Sequence, residues 1–564
     1  MLQEQFKTIR GYITNRQFAE LERFSFPVPT HFNWVKEILE EINCVEFPDR
    51  EALIWTDGSD VKRYSYDDLR RKTNQLLHFL RKHGVEPGDV LLSQMPQLPP
   101  IWFTVLAAIK GGYRLIPAAT ILSVNDMVYR FETLMPKVVI ADPENAEKID
   151  EAERISGKKV VLKILAEGQK EGWVSYNEMD LENDEAEAAE TKATDALFLF
   201  FTSGTTGMPK VVTHTHISYP LGHLTTASWI GLQPGDIHYN VSQPGWAKFA
   251  WSSIFAPWNM GATIFAFNQP GRFHAGQQLE QLEKFKITTF CAPPTVLRML
   301  IQEDLKAYKL SLKECVAAGE PLNPEIIDVW QKGTGLLIRD GYGQTESTCI
   351  IGNLPGTKVK FGSMGKPTFL YDVVIANEAG EEVPLHEEGN ITVKTDSDTL
   401  TGIFAEYLGD PEKKKAVFKH GLYYTGDKAY KDEDGYYWFV GRDDDVIKSS
   451  DYRVGPFEVE SILLEHDAVI ESAVVGSPHP IKGFEIKAFI ILGTEHEPSQ
   501  QLADAIFGFS REKLSPYKMP RIIEFVSELP KTISGKIRRV ELRAMEAEAK
   551  LKNEKGVFEF LYMK

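Results

Sequence analysis

Cysteine is scarce in this 564-residue chain: Cys44, Cys291, Cys315 and Cys349 lie far apart, with no CxxC pair and no Cys/His ligand spacing. That excludes a disulfide scaffold and a structural zinc ribbon, and the four read as reduced thiols packed inside an intracellular protein. No apolar run is long enough to cross a bilayer, so no membrane span is expected. Met1 to Phe24 lacks the continuous apolar core of a secretory signal, and Glu4, Glu20 and Glu22 weigh against an organellar presequence, leaving the cytoplasm as the default location. Positive charge is also in short supply: 63 Lys and Arg stand against 80 Asp and Glu, a net charge of −17. Such a balance argues for solubility and against nucleic acid as a partner, and leaves room for a local basic pocket. Internal repeats and low-complexity tracts are absent. What remains is an ordinary globular composition, 43% hydrophobic and 25% charged, in a chain long enough for several domains.

One stretch is plainly built to hold phosphate. Ala196 to Phe201 is an unbroken apolar run that reads as a strand buried on both faces, and it discharges into Thr202, Ser203, Gly204, Thr205, Thr206, Gly207, Met208, Pro209 and Lys210. Small hydroxyl and glycine residues offer unencumbered N–H groups and hydroxyls to an anion, and Lys210 adds a cation. A Walker loop is excluded, because Gly204 and Gly207 are too close and Lys210 is followed by Val211. A flexible turn accounts for the glycines and threonines but not for the lysine at this offset.

Around this stretch, strands and helices alternate. Tyr66 to Leu80 reads as a helix, 89–93 as a strand, Pro100 to Lys110 as a helix, and 114–117 and 137–141 as strands. Such alternation implies βαβ units and parallel sheets with ligands at the carboxyl ends of strands. The run 288–292 reads as a strand ending in a turn at Pro293-Pro294, and further apolar strands discharge into polar, glycine-bearing loops: 315–318 into Gly319-Glu320-Pro321, and 336–339 into Asp340 to Glu346. The acidic segment 177–191 reads as a solvated helix or surface connection. After Gly380 the texture changes to short alternating strands, and from about Asp445 to a compact α/β segment. The expected architecture is α/β: a large N-terminal domain (1–443) of doubly wound βαβ subdomains with a smaller β-rich subdomain, and a small mobile C-terminal α/β domain (444–564).

The chemistry-bearing runs suit one reaction. Tyr342 offers an aromatic face to a purine, Thr345 a hydroxyl to a phosphate, and Glu346 a carboxylate to a phosphate-bound magnesium ion. Asp427, ending Tyr-Thr-Gly-Asp, suits the two ribose hydroxyls, with Arg442 beyond it, and Lys536 stands on a Ser-Gly turn. In order and spacing these runs resemble the adenylate-forming superfamily over nearly the whole chain, roughly residues 30 to 545. Gly245 to Trp251 with Pro257-Trp258, and Ala318 to Pro324, are similar to its medium-chain acyl-CoA synthetase branch.

The resemblance implies ATP, Mg²⁺ and coenzyme A as cofactor and co-substrates, and a small-molecule carboxylic acid as substrate. It implies that Thr202 to Lys210 hold the ATP phosphates, that Gly319, Glu320 and Pro321 line the adenine, and that Tyr342, within Asp340-Gly341-Tyr342-Gly343-Gln344, stacks on it. Thr345 would touch the α-phosphate and Glu346 the metal, Asp427 and Arg442 would hold the ribose, and Lys536 would bridge carboxylate and α-phosphate. A hinge at Asp444 would swap Lys536 for the Ser450 to Gly455 face, which lines the thiol channel, with Arg453, Lys482 and Arg511 as candidates for coenzyme A. Here the chain departs from its relatives: Ser450-Asp451-Tyr452-Arg453 has Asp where many carry Gly, and a carboxylate there crowds the pantetheine. Acetate-activating relatives carry Trp at the position of Gly343, so glycine is expected to open the pocket to larger acids, medium-chain, branched or aromatic, with Trp246, Lys248 and Trp251 as wall candidates. The resulting reading is an AMP-forming acyl-CoA synthetase. A ligase loading a carrier-protein phosphopantetheine and an inactive acyl- or nucleotide-binding module are the alternatives; absence of a carrier attachment run weighs against the first, and Glu346 with Lys536 against the second. His214 and His216 form an HxH without a third ligand and read as structural. The chain leaves the oligomeric state open, a homo-oligomer included.

Overall fold

The computed structural model describes residues 2–22, 24, 28–202, 209–395, 401–442, 444–449, 452–480, 483–531 and 536–562. The phosphate-loop residues Ser203 to Gly207, as well as Asp443, Ser450, Asp451 and Lys482, lie outside this set, as do the side chains of Tyr452 and Arg453.

Among the described residues, four sheets carry the chain. The first runs Glu406–Tyr407, Lys210–Thr215, Ala196–Thr202, Arg114–Pro117, Val90–Gln94, Val138–Ala141, Leu162–Leu165, Val174–Ser175. From Ala196–Thr202 onward its pairings are parallel, while Lys210–Thr215 folds back antiparallel as the far arm of the phosphate-loop hairpin. The second sheet is parallel through Glu51–Thr56, Thr263–Phe267, Ile237–Asn240, Thr289–Ala292, Glu314–Ala318 and Ile338–Gly343, with antiparallel strands at its edges. A third, antiparallel sheet contains Leu422–Lys431 and Tyr437–Arg442. The fourth forms from the C-terminal stretch, around Val469–His479, Gly483–Leu492 and Ile522–Phe525.

Local sequence explains where the helices start. Ser65 and Asp68 form a reciprocal capping box for Tyr66–Lys82, and Ser123 and Asp126 do the same for Val124–Thr133. Proline opens Pro100–Gly111, Pro143–Ser156 and Pro324–Thr334, where its missing N–H removes no bond. The same rule corrects the turn expected at Pro293-Pro294, since Pro294 begins the helix Pro294–Leu300. The acidic segment 177–191 is a surface connection: after a 3₁₀ turn at Tyr176–Leu181 it lies along Tyr66–Lys82, pairing Asp184 with Arg71 at 2.9 Å and Asp180 with Lys72 at 2.6 Å.

The largest buried cluster joins the first two sheets and mixes aliphatic side chains with aromatic rings, among them Phe198 stacked on Phe200 at 5.3 Å, both in contact with Tyr219. The N-terminal helix Leu2–Thr14 buries Phe6, Ile9 and Ile13 in it, a contribution that sequence reasoning did not anticipate. Just past this helix Arg16 reaches Glu314 at 2.7 Å, and Glu314 also accepts from Arg339 at 2.9 Å. Arg339 donates besides to the carbonyls of Trp229, Ile230 and Asn353. Its buried guanidinium therefore clamps the strand that carries Asp340 to Gly343, making the N-terminal segment a brace for the site.

The C-terminal tail, without a role in the sequence reading, completes the fourth sheet. Glu559–Leu561 pairs with Ile522–Phe525, and Lys487, only 2% exposed, binds Glu524, Glu546 and Glu559 at 2.7, 2.5 and 2.6 Å. Three carboxylates around one ammonium depend on it, because a buried charge without its partner is strongly destabilising. Lys487→Met should therefore destabilise the C-terminal unit at neutral pH by about 3–5 kcal/mol, seen as an early transition in denaturant unfolding, with the deficit shrinking at acid pH as the carboxyls protonate.

Candidate active site at the strand ends

The carboxyl ends of the central strands converge on one cleft. Lys210, at the exit of the phosphate loop, pairs with Glu346 Oε1 at 2.6 Å and donates to the Tyr407 hydroxyl at 2.9 Å, while Tyr407 donates to the same Glu346 oxygen at 3.0 Å. Glu346 is 8% exposed. Burial alone would raise its carboxyl, but the Lys210 ammonium outweighs that and holds it below the ordinary range. The backbone beneath is fixed from two sides: Phe404 N–H donates to the Glu346 carbonyl at 2.8 Å, and His214 Nε2–H to the Thr345 carbonyl at 2.7 Å. Burial pulls the His214 pKa down to about 4, so the ring is neutral and serves as a prop for Thr345. Thr202 Oγ1, at the entry to the loop, is buried without a partner among the described residues.

The opposite wall comes from the second and third sheets. Gly319 follows the strand Glu314–Ala318 with φ +106°, a conformation only glycine adopts without strain. Thr295 Oγ1 donates to Glu320 beside it at 2.9 Å. Sequence reasoning placed Asp340 to Gly343 in a loop, yet Ile338–Gly343 is a continuous strand, its Asp, Gly and Tyr residues held by pairing with Glu314–Ala318 and Cys349–Gly352. From it Tyr342 donates its hydroxyl to Asp427 Oδ2 at 2.6 Å, and Gln344 Nε2 donates to the same oxygen at 2.6 Å. Arg442 stands opposite Asp427 in register. Burial raises the Asp427 carboxyl, against the Tyr342 hydrogen bond and the Arg442 charge. Asp340 has a different part: its carboxyl accepts from the Gly341 and Leu322 amides, stapling its strand to the loop that follows Glu314–Ala318, and burial pushes its pKa up to about 8.

Lys536 belongs to the C-terminal stretch and keeps one side exposed at the mouth of the cleft. Withdrawal from water and the Arg442 charge lower its pKa, against the opposing pull of Glu320 and Asp427. Lys248 feels Lys536, Glu320 and Asp340, and donates to the Ala318 carbonyl at 2.9 Å, so it lies in the cleft, not beyond it. The opening expected at Gly343 is filled. A Cβ there would come within 2.3 Å of both the Thr348 carbonyl oxygen and the tip of the Trp251 ring. Trp251 thus takes the place of the missing wall, and a side chain at 343 meets backbone as well as indole. Trp246, with Phe249 and Ala250, lines a narrow apolar crevice floored by Phe198 and Phe200.

Other expected residues stand apart. Arg511, on the helix Gln500–Lys513, donates to the Tyr562 hydroxyl at 3.3 Å. Tyr452 and Arg453 lie on the strand Tyr452–Val454, paired with Ile447–Ser449. Asp444 is held between Arg442 at 3.4 Å and Arg543 at 3.8 Å. Sequence reasoning missed Tyr407, whose only signal is an aromatic ahead of Gly409-Asp410-Pro411, far along the chain from Lys210 and Glu346.

A model of the AMP-binding enzyme family matches residues 41–408, and one of the AMP-binding enzyme C-terminal domain matches 458–536. The chain belongs to the AMP-binding enzyme family. Among curated members, it is 48% identical to 4-hydroxybutyrate–CoA ligase 1 of Metallosphaera sedula, covering 94% of this chain and 93% of that one. It is 42% identical to the mitochondrial acyl-coenzyme A synthetase ACSM3 of Rattus norvegicus, over 93% and 92%. Among solved structures, the anthranilate CoA ligase AuaEII in complex with anthranoyl-AMP superposes with a TM-score of 0.84 at 32% identity, over 93% of this chain and 99% of that one. A benzoate CoA ligase from Burkholderia xenovorans LB400 gives 0.79 at 28%, over 91% and 100%. This family member is an AMP-forming acid–CoA ligase that uses ATP, Mg²⁺ and coenzyme A. Magnesium takes hard oxygen donors, and the Glu346 carboxylate, buried in the cleft, fits it. Among the described residues, no helix is long and apolar enough to cross a membrane.

The raised pKa of Asp340 has a defined sign. Its folded state holds a proton that the unfolded chain releases near pH 4, so its stabilisation is complete below that pH and is lost as pH rises through about 8. Asp340→Asn should flatten this part of the profile: melting temperature measured from pH 5 to 9 falls less in the variant, and above pH 8 the variant is the more stable. Parallel profiles would contradict the assignment.

Proposed function

We propose that this cleft activates a carboxylic acid larger than acetate, medium-chain, branched or aromatic, and that the residues it gathers divide the two half-reactions between them. The observation that carries the proposal is Lys536, brought from the C-terminal stretch into the charge environment of Glu320, Asp427, Arg442 and Lys248. In the first half-reaction a carboxylate oxygen attacks the α-phosphorus as the bond to pyrophosphate breaks, and two anions must approach each other. Lys210 and the loop hydroxyls hold the triphosphate, Tyr342 and Gly319 to Pro321 border the base, and Asp427 with Arg442 holds the ribose. Lys536 offsets the charge that develops between carboxylate and α-phosphate, the role for which a partly desolvated ammonium is best placed. Glu346 would hold Mg²⁺, which would supply further neutralisation of the triphosphate.

In the second half-reaction the thiol of coenzyme A attacks the acyl carbonyl and AMP leaves. The proposal assigns residues 1–443 to the adenylation unit and 444–564 to a mobile unit hinged at Asp444, whose Ser450 to Gly455 face replaces Lys536. Arg453, Lys482 and Arg511 are then the cations available to coenzyme A, and Asp451 the residue that its pantetheine must pass. The relatives named for 4-hydroxybutyrate, anthranilate and benzoate all take acids larger than acetate, in keeping with a pocket bounded by Trp246 and Trp251. Burial of Cys291, Cys315 and Cys349 as free thiols supports a cytoplasmic location.

Lys536→Ala should lose acid-dependent ATP–pyrophosphate exchange by about a hundredfold or more while still converting supplied acyl-adenylate to thioester; equal loss of both steps would reject the division of labour. For the pocket, Trp251→Ala should raise kcat/KM for longer acids relative to shorter ones by about tenfold. An unchanged chain-length profile would remove Trp251 from the pocket wall.

A further inference from the structure

Tyr407 lies outside every motif that resemblance assigns to the reaction, yet it touches two of the groups the reaction needs. Its short strand, Glu406–Tyr407, pairs antiparallel with Lys210–Thr215, placing Tyr407 opposite Val212. Neighbouring backbone bonds the same two elements: Phe404 N–H donates to the Glu346 carbonyl at 2.8 Å, Ala405 N–H to Thr213 at 2.8 Å, and Leu408 N–H to Val211 at 2.9 Å. Ile403 also bridges to Ser347. Residues 402–408 are thus a strap tying the far arm of the phosphate-loop hairpin to the Thr345–Glu346 turn. The Tyr407 ring is inserted from this strap against Phe404, with centroids 4.6 Å apart, and is 3% exposed.

Its hydroxyl accepts from Lys210 at 2.9 Å and donates to Glu346 Oε1 at 3.0 Å. Lys210 and Glu346 neutralise each other directly. On the proposed function Lys210 serves the phosphates, and Tyr407 is then the side-chain donor that the structure places on the buried Glu346 carboxylate.

We propose that Tyr407 is a positioning residue for the metal: by donating to Glu346 Oε1 it directs the other carboxylate oxygen toward Mg²⁺ when Lys210 engages the triphosphate. The proposal rests on the reading of Glu346 as the metal-binding carboxylate. It gives the strap a function beyond packing, since the element that holds the loop hairpin also aims the metal ligand.

Calorimetric ATP binding, measured across Mg²⁺ concentrations and again in EDTA, tests it on the full-length wild type, Tyr407→Phe, Glu346→Gln and Phe404→Leu. Losing one hydrogen bond to a charged group should raise the Mg²⁺ midpoint in Tyr407→Phe by about tenfold, with ATP affinity in EDTA unchanged. Phe404→Leu, which disturbs the same packing but not the hydroxyl, should leave the midpoint in place. A midpoint that moves in Glu346→Gln but not in Tyr407→Phe overturns the role of Tyr407. Equal loss of affinity by Tyr407→Phe with and without metal overturns it too, assigning the hydroxyl to Lys210 and the phosphates. If Glu346→Gln leaves the midpoint unmoved, the reading of Glu346 itself fails, and the proposal with it.

Discussion

The cleft is organised around repulsion between anions. A carboxylate and a triphosphate must approach to bonding distance inside a protein that itself carries a net charge of −17. Unscreened, like charges at contact oppose each other by several kcal/mol at protein-like dielectric, so cations must be stationed there beforehand. Lys210, Lys248, Arg442 and Lys536 supply them, from separate segments of the chain. Cations gathered so closely repel one another in turn, and Glu346, Asp427 and Glu320 stand among them. Those acids balance the cations charge for charge where they meet, as Glu346 does Lys210 at 2.6 Å.

Holding these groups in register explains much of the architecture. The segment before Lys210 joins two strands of the first sheet, Gly319 to Pro321 follow a strand of the second, and Asp427 and Arg442 face each other across a hairpin of the third. Their relative positions depend on cross-links between sheets: the Tyr407 strap, the Tyr342 and Gln344 bonds to Asp427, and the Arg16–Glu314–Arg339 brace. The fourth sheet delivers Lys536 from outside. Its own cohesion rests on Lys487, which lets it stand as a unit without drawing on the cleft.

Much of this was legible wherever a local rule sufficed. The uninterrupted apolar run 196–201 is a central strand, Arg114–Pro117 was read to its ends, and Ser65 with Asp68 marks a helix start. What escaped depends on contacts distant in sequence. Asp340 to Gly343 carry turn-type residues, and only strands on both sides make them extended. Gly343 looked like an open wall because no sequence rule places the Trp251 ring against it. Leu2–Thr14 was weighed only against targeting segments, lacking the continuous apolar core of a secretory signal, although its partners are among the most buried in the protein. Tyr407 stands 61 residues from Glu346, with nothing local to announce the pairing.

The most direct measurement is acid-dependent ATP–pyrophosphate exchange over a panel from acetate to decanoate with branched and aromatic acids, each followed by a thioester assay with coenzyme A. The account predicts exchange and thioester formation with acids larger than acetate, and little with acetate itself. Exchange confined to acetate would contradict the pocket, and the absence of exchange with any acid despite ATP binding would contradict the catalytic reading of the cleft.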